Sequence, residues 1–413
     1  MLTLADARRL YRMLPLQLRA RLGLFLGPIL SALARRLRPI VIDAPSSNNS
    51  VSIAGLFSAP HGVGVAARLC VAELEAAGIA VRAVDLTAAL DVSSEASFAH
   101  AITREAHDDE AIVLHFNPSS LLQALVTLDR SDLDRRRIGY WVWELEAVPT
   151  SWRAAAQHVH EIWAPSHFCA DAFRHAFEHD VKVVPHPAAL APPRLRQEMR
   201  SRLRARFDLD DDGFLVLSSF AMNSCMARKN PLAAVRAFKD AFGQAAKTRL
   251  VLRCRGAGSF PAGIAALRQA VREAGEHVIL VDDDGSLQSL NDMYAACDAY
   301  LSLHRSEGFG LNLAEAMLCE KPVIATAWSG NLDFMTEDAA ALVPCALTPV
   351  KDPQRIYTTH GARWAEPDHD AAVEWLRVLA RDRDRLAALG RAGAALAHAR
   401  LSGGAAAAAL RRA

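Results

Sequence analysis

Short apolar runs of strand type recur along the chain, each followed by a segment of helical periodicity. That alternation constrains the fold more than any other feature. "VSIAGLF" (51–57), "IAVRAVDL" (79–86), "AIVLHF" (111–116), "IGYWVW" (138–143) and "EIWAP" (161–165) form a first series. "FLVLSSF" (214–220), "RLVLRC" (249–254), "HVILVD" (277–282), "AYLSLH" (299–304), "PVIAT" (322–326) and "AALVP" (340–344) form a second. Strands that alternate with helices in this way predict parallel sheets covered by helices on both faces. Ser166 is a suitable N-cap for the helix that begins "HFCADAFRHAF".

The proline-rich stretch "VPHPAALAPP" (184–193) separates the two series and places a boundary near 185–205. The expected organisation is a basic N-terminal arm (1–45), a first α/β domain (46–190), a second (191–400) and an Ala-rich tail (401–413), read as a frayed helix. Two such domains joined by a hinge imply a cleft, with ligands beyond the carboxyl ends of the strands.

Composition narrows the function classes. A chain of 413 residues with a net charge of +1 and 23% charged residues shows no bulk affinity for nucleic acid. Its seven cysteines are scattered, odd in number and without a CxxC pair, which argues for a reducing, cytoplasmic setting and against structural zinc. Residues 1–40 carry eight arginines and one acid, Asp6, around the apolar run "LGLFLGPILSALA" (22–34). That run is too short for a membrane span, and Pro28 interrupts it. Arginines follow it where a signal peptide would place small residues. The arm suits peripheral contact with an anionic membrane.

Chemistry concentrates in the second series. "RSEGFG" (305–310) lies between the strand "AYLSLH" and the helix "LNLAEAM", so it is a strand-to-helix turn with two glycines. The backbone N–H groups of such a turn suit a phosphate or a sugar oxygen. Glu307 and Glu315 bracket it, and carboxylates accept hydrogen bonds from vicinal hydroxyls. A second cluster, "FAMNSCMARKNP" (220–231), places Arg228 and Lys229 just before Asn230 and Pro231, an N-cap and N1 pair. Adjacent cations at a helix start make sense if an anion neutralises them. "DLDDD" (208–212) and "VDDDG" (281–285) fit turn and capping roles, and no metal site is expected.

The segment "SLHRSEGFGLNLAEAMLCEKPVIATAWSGNLDFM" (302–335) resembles the retaining, nucleotide-sugar-dependent glycosyltransferases of family 4, whose E-x7-E mark falls on Glu307 and Glu315. "NSCMARKNP" resembles their phosphate-binding segment. "SIAGLFSAPHGVGVAAR", "IGYWVWELEAVPTSW", "EIWAPSHF", "VVPHP" and "GARWAEPD" are similar to one bacterial branch. The resemblance spans residue 51 to about 400. It implies the GT-B fold: two Rossmann-like, doubly wound domains facing across a cleft, with the donor in the C-terminal domain and the acceptor mostly in the N-terminal one.

The resemblance further implies that Glu315 contacts the ribose and Glu307 a hydroxyl of the transferred sugar. Gly308, Phe309 and Gly310 would present backbone groups to sugar and diphosphate, and Arg228 and Lys229 would neutralise the diphosphate. Gly62 and Gly64 would let the first loop approach the donor, with "WSGN" (328–331), and Asn331 within it, lining the same pocket. Many family members place a His in the N-terminal domain beside the reacting carbon. Here that position reads Trp143-Glu144, so Glu144 is the first candidate and His115 the second, with His61 as a further contact.

The implied activity is transfer of a sugar from a nucleoside diphosphate to a carbohydrate or lipid-linked acceptor hydroxyl, with retention, in surface polysaccharide or glycolipid synthesis. No metal or other cofactor is implied. A nucleotide-sugar epimerase of similar shape and a non-catalytic nucleotide-sugar-binding subunit stay open as alternatives.

Overall fold

The computed structural model describes residues 50–90, 92, 111–187, 197–245, 247–283, 290–357 and 359–411. The arm 1–45, and with it the proposed membrane contact, lies outside the described residues. The chain divides into two compact units, Met1–Pro187 with Gly403–Ala413, and Ala188–Ser402.

The first unit holds a six-stranded sheet of β1 (Ser50–Gly55), β2 (Ala80–Asp85), β3 (Ala111–Leu114), β4 (Arg136–Tyr140), β5 (Glu161–Ala164) and β6 (Asp180–Val183). The order is β2-β1-β3-β4-β5-β6, and every pairing is parallel. β6 is absent from the sequence reading. Its four residues, DVKV, carry two charges and sit at the sheet edge with Asp180 exposed, so they lack a full apolar run.

The second unit holds β7 (Phe214–Ala221), β8 (Thr248–Arg255), β9 (Val278–Asp283), β10 (Ala299–Ser302), β11 (Val323–Thr326) and β12 (Ala341–Val343). Their order is β12-β11-β10-β7-β8-β9, again wholly parallel. This is a doubly wound arrangement with its switch point between β7 and β10. Burial on both faces explains the near-continuous apolar strands. Along β7, Phe214, Val216 and Phe220 enter one core while Leu215 and Leu217 enter the core on the opposite face. An antiparallel hairpin, β13 (Cys345–Pro349) and β14 (Arg363–Pro367), follows β12. The sequence reading lacks it as well, because β13 is mostly half-exposed and has no apolar stripe.

Two local expectations meet different outcomes. The Ser166 hydroxyl accepts the Cys169 N–H at 3.2 Å, as an N-cap should. Asn230 precedes the helix Pro231–Phe242 but does not cap it through its side chain. Its backbone is left-handed (φ 54°), and its amide donates to the Leu303 carbonyl at 2.9 Å, tying this turn to the end of β10. The Ala-rich end is not frayed over its described length. It forms the helix Ala405–Arg411, with Ala406, Ala407, Ala409 and Leu410 buried in the first unit's core. The buried Glu73 carboxylate accepts the Ala406 N–H at 2.8 Å, and Lys182 Nζ reaches the Ala409 carbonyl at 3.1 Å. Among the described residues no helix is long and apolar enough to cross a membrane.

Candidate functional site: a buried charge cluster at the switch point of the second sheet

The chain leaves β7 through a 3-10 turn, Met222–Ser224, and a one-turn helix, Met226–Lys229. It leaves β10 through 303–310 into the helix Leu311–Leu318. Because β7 and β10 are neighbours, the topology brings these two segments together at the carboxyl edge of the sheet. Loops diverge there to opposite faces, which opens a crevice.

Arg228 and Lys229 both pair with Glu307. Arg228 Nη1 lies 3.0 Å from Glu307 Oε2, and Lys229 Nζ contacts Oε1. Arg228 is only 3% exposed. Its guanidinium also donates to the Ser306 and Ser224 carbonyls at 2.7 and 3.1 Å. The anion inferred for these two cations is thus supplied in part by the protein itself. Burial opposes the Glu307 charge, but Lys229 and Arg228 outweigh it and hold the carboxyl down to about 2. Glu307 is therefore ionised and can only accept hydrogen bonds.

The surrounding backbone is fixed by specific contacts. The Ser329 hydroxyl accepts the Glu307 N–H at 2.8 Å, and the Glu307 carbonyl accepts the Gly330 N–H at 3.0 Å. Asn331 is fully buried. Its amide N–H donates to the Thr326 carbonyl at 3.2 Å, which turns its oxygen toward His304 Nε2 at 3.2 Å. That oxygen needs a donor, so His304 carries its proton on Nε2 and can accept the Ser302 hydroxyl on Nδ1. Burial keeps His304 below its ordinary value and neutral. Asn331 is placed to support the wall through His304.

Gly310 starts the helix Leu311–Leu318 at φ 100°, where a Cβ would meet Leu313 Cδ1 at 2.8 Å. Phe309 is buried against Phe334, ring centroids 5.0 Å apart, so this turn offers backbone rather than the phenyl ring. Six described non-glycine residues have positive φ, and three of them, Cys225, Asn230 and Ser329, flank the cluster. Such conformations persist where surroundings over-determine them, commonly at ligand sites.

Glu315 belongs to a second, adjoining group. The Tyr294 hydroxyl donates to its Oε2 at 3.0 Å. Burial pushes the Glu315 carboxyl up to about 7, partly offset by Tyr294 and Arg253. Asn312 Nδ2 and the Tyr300 hydroxyl both reach the Ser219 carbonyl, at 3.0 and 3.1 Å. Burial raises the Tyr300 phenol, opposed by Asn312 and Ser219 and reinforced by both Glu307 and Glu315. The two glutamates thus act on one phenol while holding different partners. His304, Asn312, Tyr294 and Arg253 were not among the residues singled out from sequence, whereas Ser329 lies in the 328–331 segment read as lining the pocket. Only Ser329 carried a signal, as the small polar residue before a glycine at a strand end.

The raised Glu315 carboxyl has a testable consequence for stability. Its value in the fold, about 7, exceeds the ordinary 4.5, so the protonated form is favoured in the native state. Its contribution is full below about pH 4.5 and is lost as pH rises through about 7. Glu315→Gln, which stays neutral, is expected to pull ahead of wild type between about pH 5 and pH 8, by at most about 3 kcal/mol. Chemical denaturation across that range measures it, and a gap that does not widen with pH would count against a desolvated carboxyl.

In the first unit, His115 directly follows β3, and β4 ends at Tyr140. His115 stacks on Tyr140 at 4.2 Å, and Tyr140 on His186 at 5.3 Å. The Tyr140 hydroxyl contacts the Val184 carbonyl at 2.5 Å and His186 Nδ1 at 2.9 Å. Burial depresses both imidazoles to about 3. His115 Nε2 is buried without a hydrogen-bond partner. Glu144 is half-buried in the loop after β4, and His61 stands at the start of the helix Gly62–Ala76. Gly62 is exposed there, whereas Gly64 turns inward. A Cβ at Gly64 would lie 2.4 Å from the Ala59 carbonyl oxygen, so this chain needs glycine at that position for its own packing.

Among the described residues no group of three or more His, Cys, Asp or Glu side chains is arranged to hold a metal. In the 208–212 run, Asp211 accepts the Ser201 hydroxyl and Asp212 pairs with Lys247. Residues 284–285 of the other run lie outside the described residues. An apolar cavity of about 240 Å³, lined by Leu203, Phe207, Leu217, Val251 and Met293 with Arg206, also lies in the second unit. Its lining lacks every residue of the charge cluster, so it is a separate feature.

Residues 223–359, which contain the whole cluster, match the family described as Glycosyl transferases group 1. No curated protein sequence matches the chain. Among solved structures, sucrose-phosphate synthase from Thermosynechococcus elongatus is 17% identical, with 88% of this chain and 98% of that one covered and a TM-score of 0.63. HepE from Anabaena, solved in complex with UDP and glucose, is 15% identical over 86% of this chain and 95% of its own, with a TM-score of 0.60. A glycosyltransferase from Rickettsia africae is 12% identical over 89% and 97%, with a TM-score of 0.59. At such identities the likeness establishes the fold. The chain has the GT-B fold of two Rossmann-like units, and the segment of its second unit that holds the charge cluster matches the glycosyl transferases group 1 family.

Proposed function

We propose that the protein is a retaining glycosyltransferase that moves a sugar from a nucleoside-diphosphate sugar to an acceptor hydroxyl. The observation that carries this reading is the buried Arg228–Lys229–Glu307 cluster at the switch point, with Glu315 beside it. The cations suit a diphosphate, and the ionised Glu307 suits the hydroxyls of a sugar. Donor binding then exchanges partners: phosphate oxygens take Arg228 and Lys229, and a sugar hydroxyl takes Glu307. Glu315 accepts from the ribose. Gly308, Phe309 and Gly310 contribute backbone groups, and Asn331 supports them through His304. UDP is the first nucleotide to test, because the structurally similar HepE was solved with it.

In this reading the bond from the anomeric carbon to the β-phosphate oxygen breaks. The acceptor oxygen bonds to that carbon on the same face, and the acceptor proton passes to the departing phosphate. Arg228 and Lys229 stabilise the charge that grows there. The first α/β domain, read as 46–190, takes the acceptor. Glu144 and His115 serve its strand ends, and the exposed Gly62, beside Gly64, lets the first loop approach the donor. A carbohydrate or lipid-linked acceptor in surface polysaccharide or glycolipid synthesis fits the bacterial branch that the chain resembles. The basic residues 1–40 fit contact with an anionic cytoplasmic leaflet.

The test combines binding with product analysis. Arg228→Ala is expected to weaken nucleoside diphosphate binding by about 1.5–3 kcal/mol, measured by calorimetry with UDP, GDP and dTDP. Transfer from the bound donor should persist in EDTA and should keep the donor's anomeric configuration by NMR. An inverted product, or turnover of the nucleotide sugar without any acceptor, would reject this reading.

A further inference from the structure

The helix that carries Arg228 and Lys229 is a single turn of four residues, Met226–Lys229. Alone it would be marginal, since one turn is little more than a helix nucleus. Its N-cap is Cys225, with φ 68° and no side-chain cap. Its C-cap, Asn230, is also left-handed. Both ends are therefore held in conformations that L side chains rarely adopt.

What holds them comes from the connection between β13 and β14. Gln354 Oε1 accepts the Met226 N–H at 2.6 Å, one of the donors that the helix leaves unsatisfied. Gln354 Nε2 donates to the Met222 carbonyl at 2.9 Å. One side-chain amide thus clamps both ends of 222–226. Asp352 accepts the Cys225 thiol at 3.2 Å, directly beside this clamp. Asp352 also accepts the N–H groups of Gln354, Ile356 and Tyr357 at 2.9, 2.6 and 3.1 Å, which shapes the turn that presents Gln354. From the hairpin's other strand, Glu366 accepts Arg305 Nε at 2.7 Å, and the Arg305 N–H donates to the Arg228 carbonyl at 2.7 Å.

We propose that the β13–β14 hairpin is a splint for the diphosphate-binding loop, and that Gln354 is a positioning residue acting through Arg228 and Lys229. The inference rests on the donor-site reading above. The amide is well matched to this task. It donates and accepts at once and is uncharged, so it organises the loop without competing for the phosphate or repelling it. Preorganised cations lose less freedom when the anion arrives, which converts into affinity.

The test uses the full chain. In Gln354→Leu, amide hydrogen exchange at 222–229 is expected to quicken without ligand. Affinity for whichever of UDP, GDP and dTDP binds wild type should fall about tenfold, the equivalent of one weakened phosphate contact. The matching nucleoside should bind as before. Combined with Lys229→Ala, the two losses should be less than additive, because the second acts through the group that the first removes. Equal diphosphate affinity in wild type and Gln354→Leu, or fully additive losses, would overturn the splint and leave the donor-site reading intact. Absence of binding by any of the three diphosphates in wild type would overturn both.

Discussion

Glu307→Ala is expected to destabilise the second unit by about 3–5 kcal/mol at neutral pH, the usual cost of removing one partner of a buried ion pair. Arg228 is 3% exposed and would keep its charge, facing the neutral Ser306 and Ser224 carbonyls without the carboxylate. The effect carries a pH signature. Glu307 is held at about 2 against an ordinary 4.5, so its contribution is full above about pH 4.5 and fades as pH falls towards 2. The gap between variant and wild type should therefore shrink in acid. Chemical denaturation at about pH 7 and pH 3.5 provides the comparison. A loss below about 1 kcal/mol at neutral pH would place the cluster among weak surface pairs.

The same substitution separates the roles of the cluster. Without Glu307 the two cations face the site with no internal competitor, so nucleoside diphosphate affinity should hold or rise. Sugar transfer should fall, because the acceptor for the sugar hydroxyl is gone. An equal loss of nucleotide binding and of turnover would contradict the division of labour proposed for this pair.

Much of this site was legible in the sequence because its logic is local. β7 and β10 read as apolar runs, and each is followed closely by its charged turn, so Arg228, Lys229 and Glu307 could be placed at strand ends. Their pairing depends on strand order, which puts β7 beside β10 although about eighty residues separate the turns. Periodicity carries no information on order. The supporting residues were less visible still. Gln354 and Asp352 lie in an irregular connection with no apolar pattern, and their partners are Met222, Cys225 and Met226, more than 120 residues away. Asn230 shows a correct position with a different purpose. The Asn-Pro pair does mark a helix start, but its side chain serves a carbonyl at the end of β10. Gly64 shows a glycine whose need is met by the chain's own backbone.

Asp298→Ala is expected to produce a loss of similar size, about 3–5 kcal/mol, at the other end of β10 from the charge cluster. Asp298 sits just before β10 and is 7% exposed. Its Oδ2 accepts Arg204 Nη1 at 2.9 Å and the Leu215 N–H at 2.7 Å, and its Oδ1 accepts Arg200 Nη2 at 2.9 Å. Arg204 is fully buried, and its remaining donors are spent on the carbonyls of Asp210, Gly213 and Ala296. This arrangement pins the helix Gln197–Ala205 to the start of β7, the strand from which the Arg228 loop emerges. Removing the carboxylate leaves the buried guanidinium with the exposed Asp211, 3.9 Å from its Nε, as a distant counter-charge, and a backbone donor of β7 unsatisfied. Asp298→Asn can still accept from Leu215 but removes the close counter-charge, so its loss should fall between wild type and Asp298→Ala. Replacing the exposed Asp208, whose partner Arg249 keeps several carbonyls, serves as the control and should cost at most about 1 kcal/mol. The comparison is made by chemical denaturation. If Asp298→Ala and the Asp208 control lose the same amount, the buried network does not hold this unit together as argued.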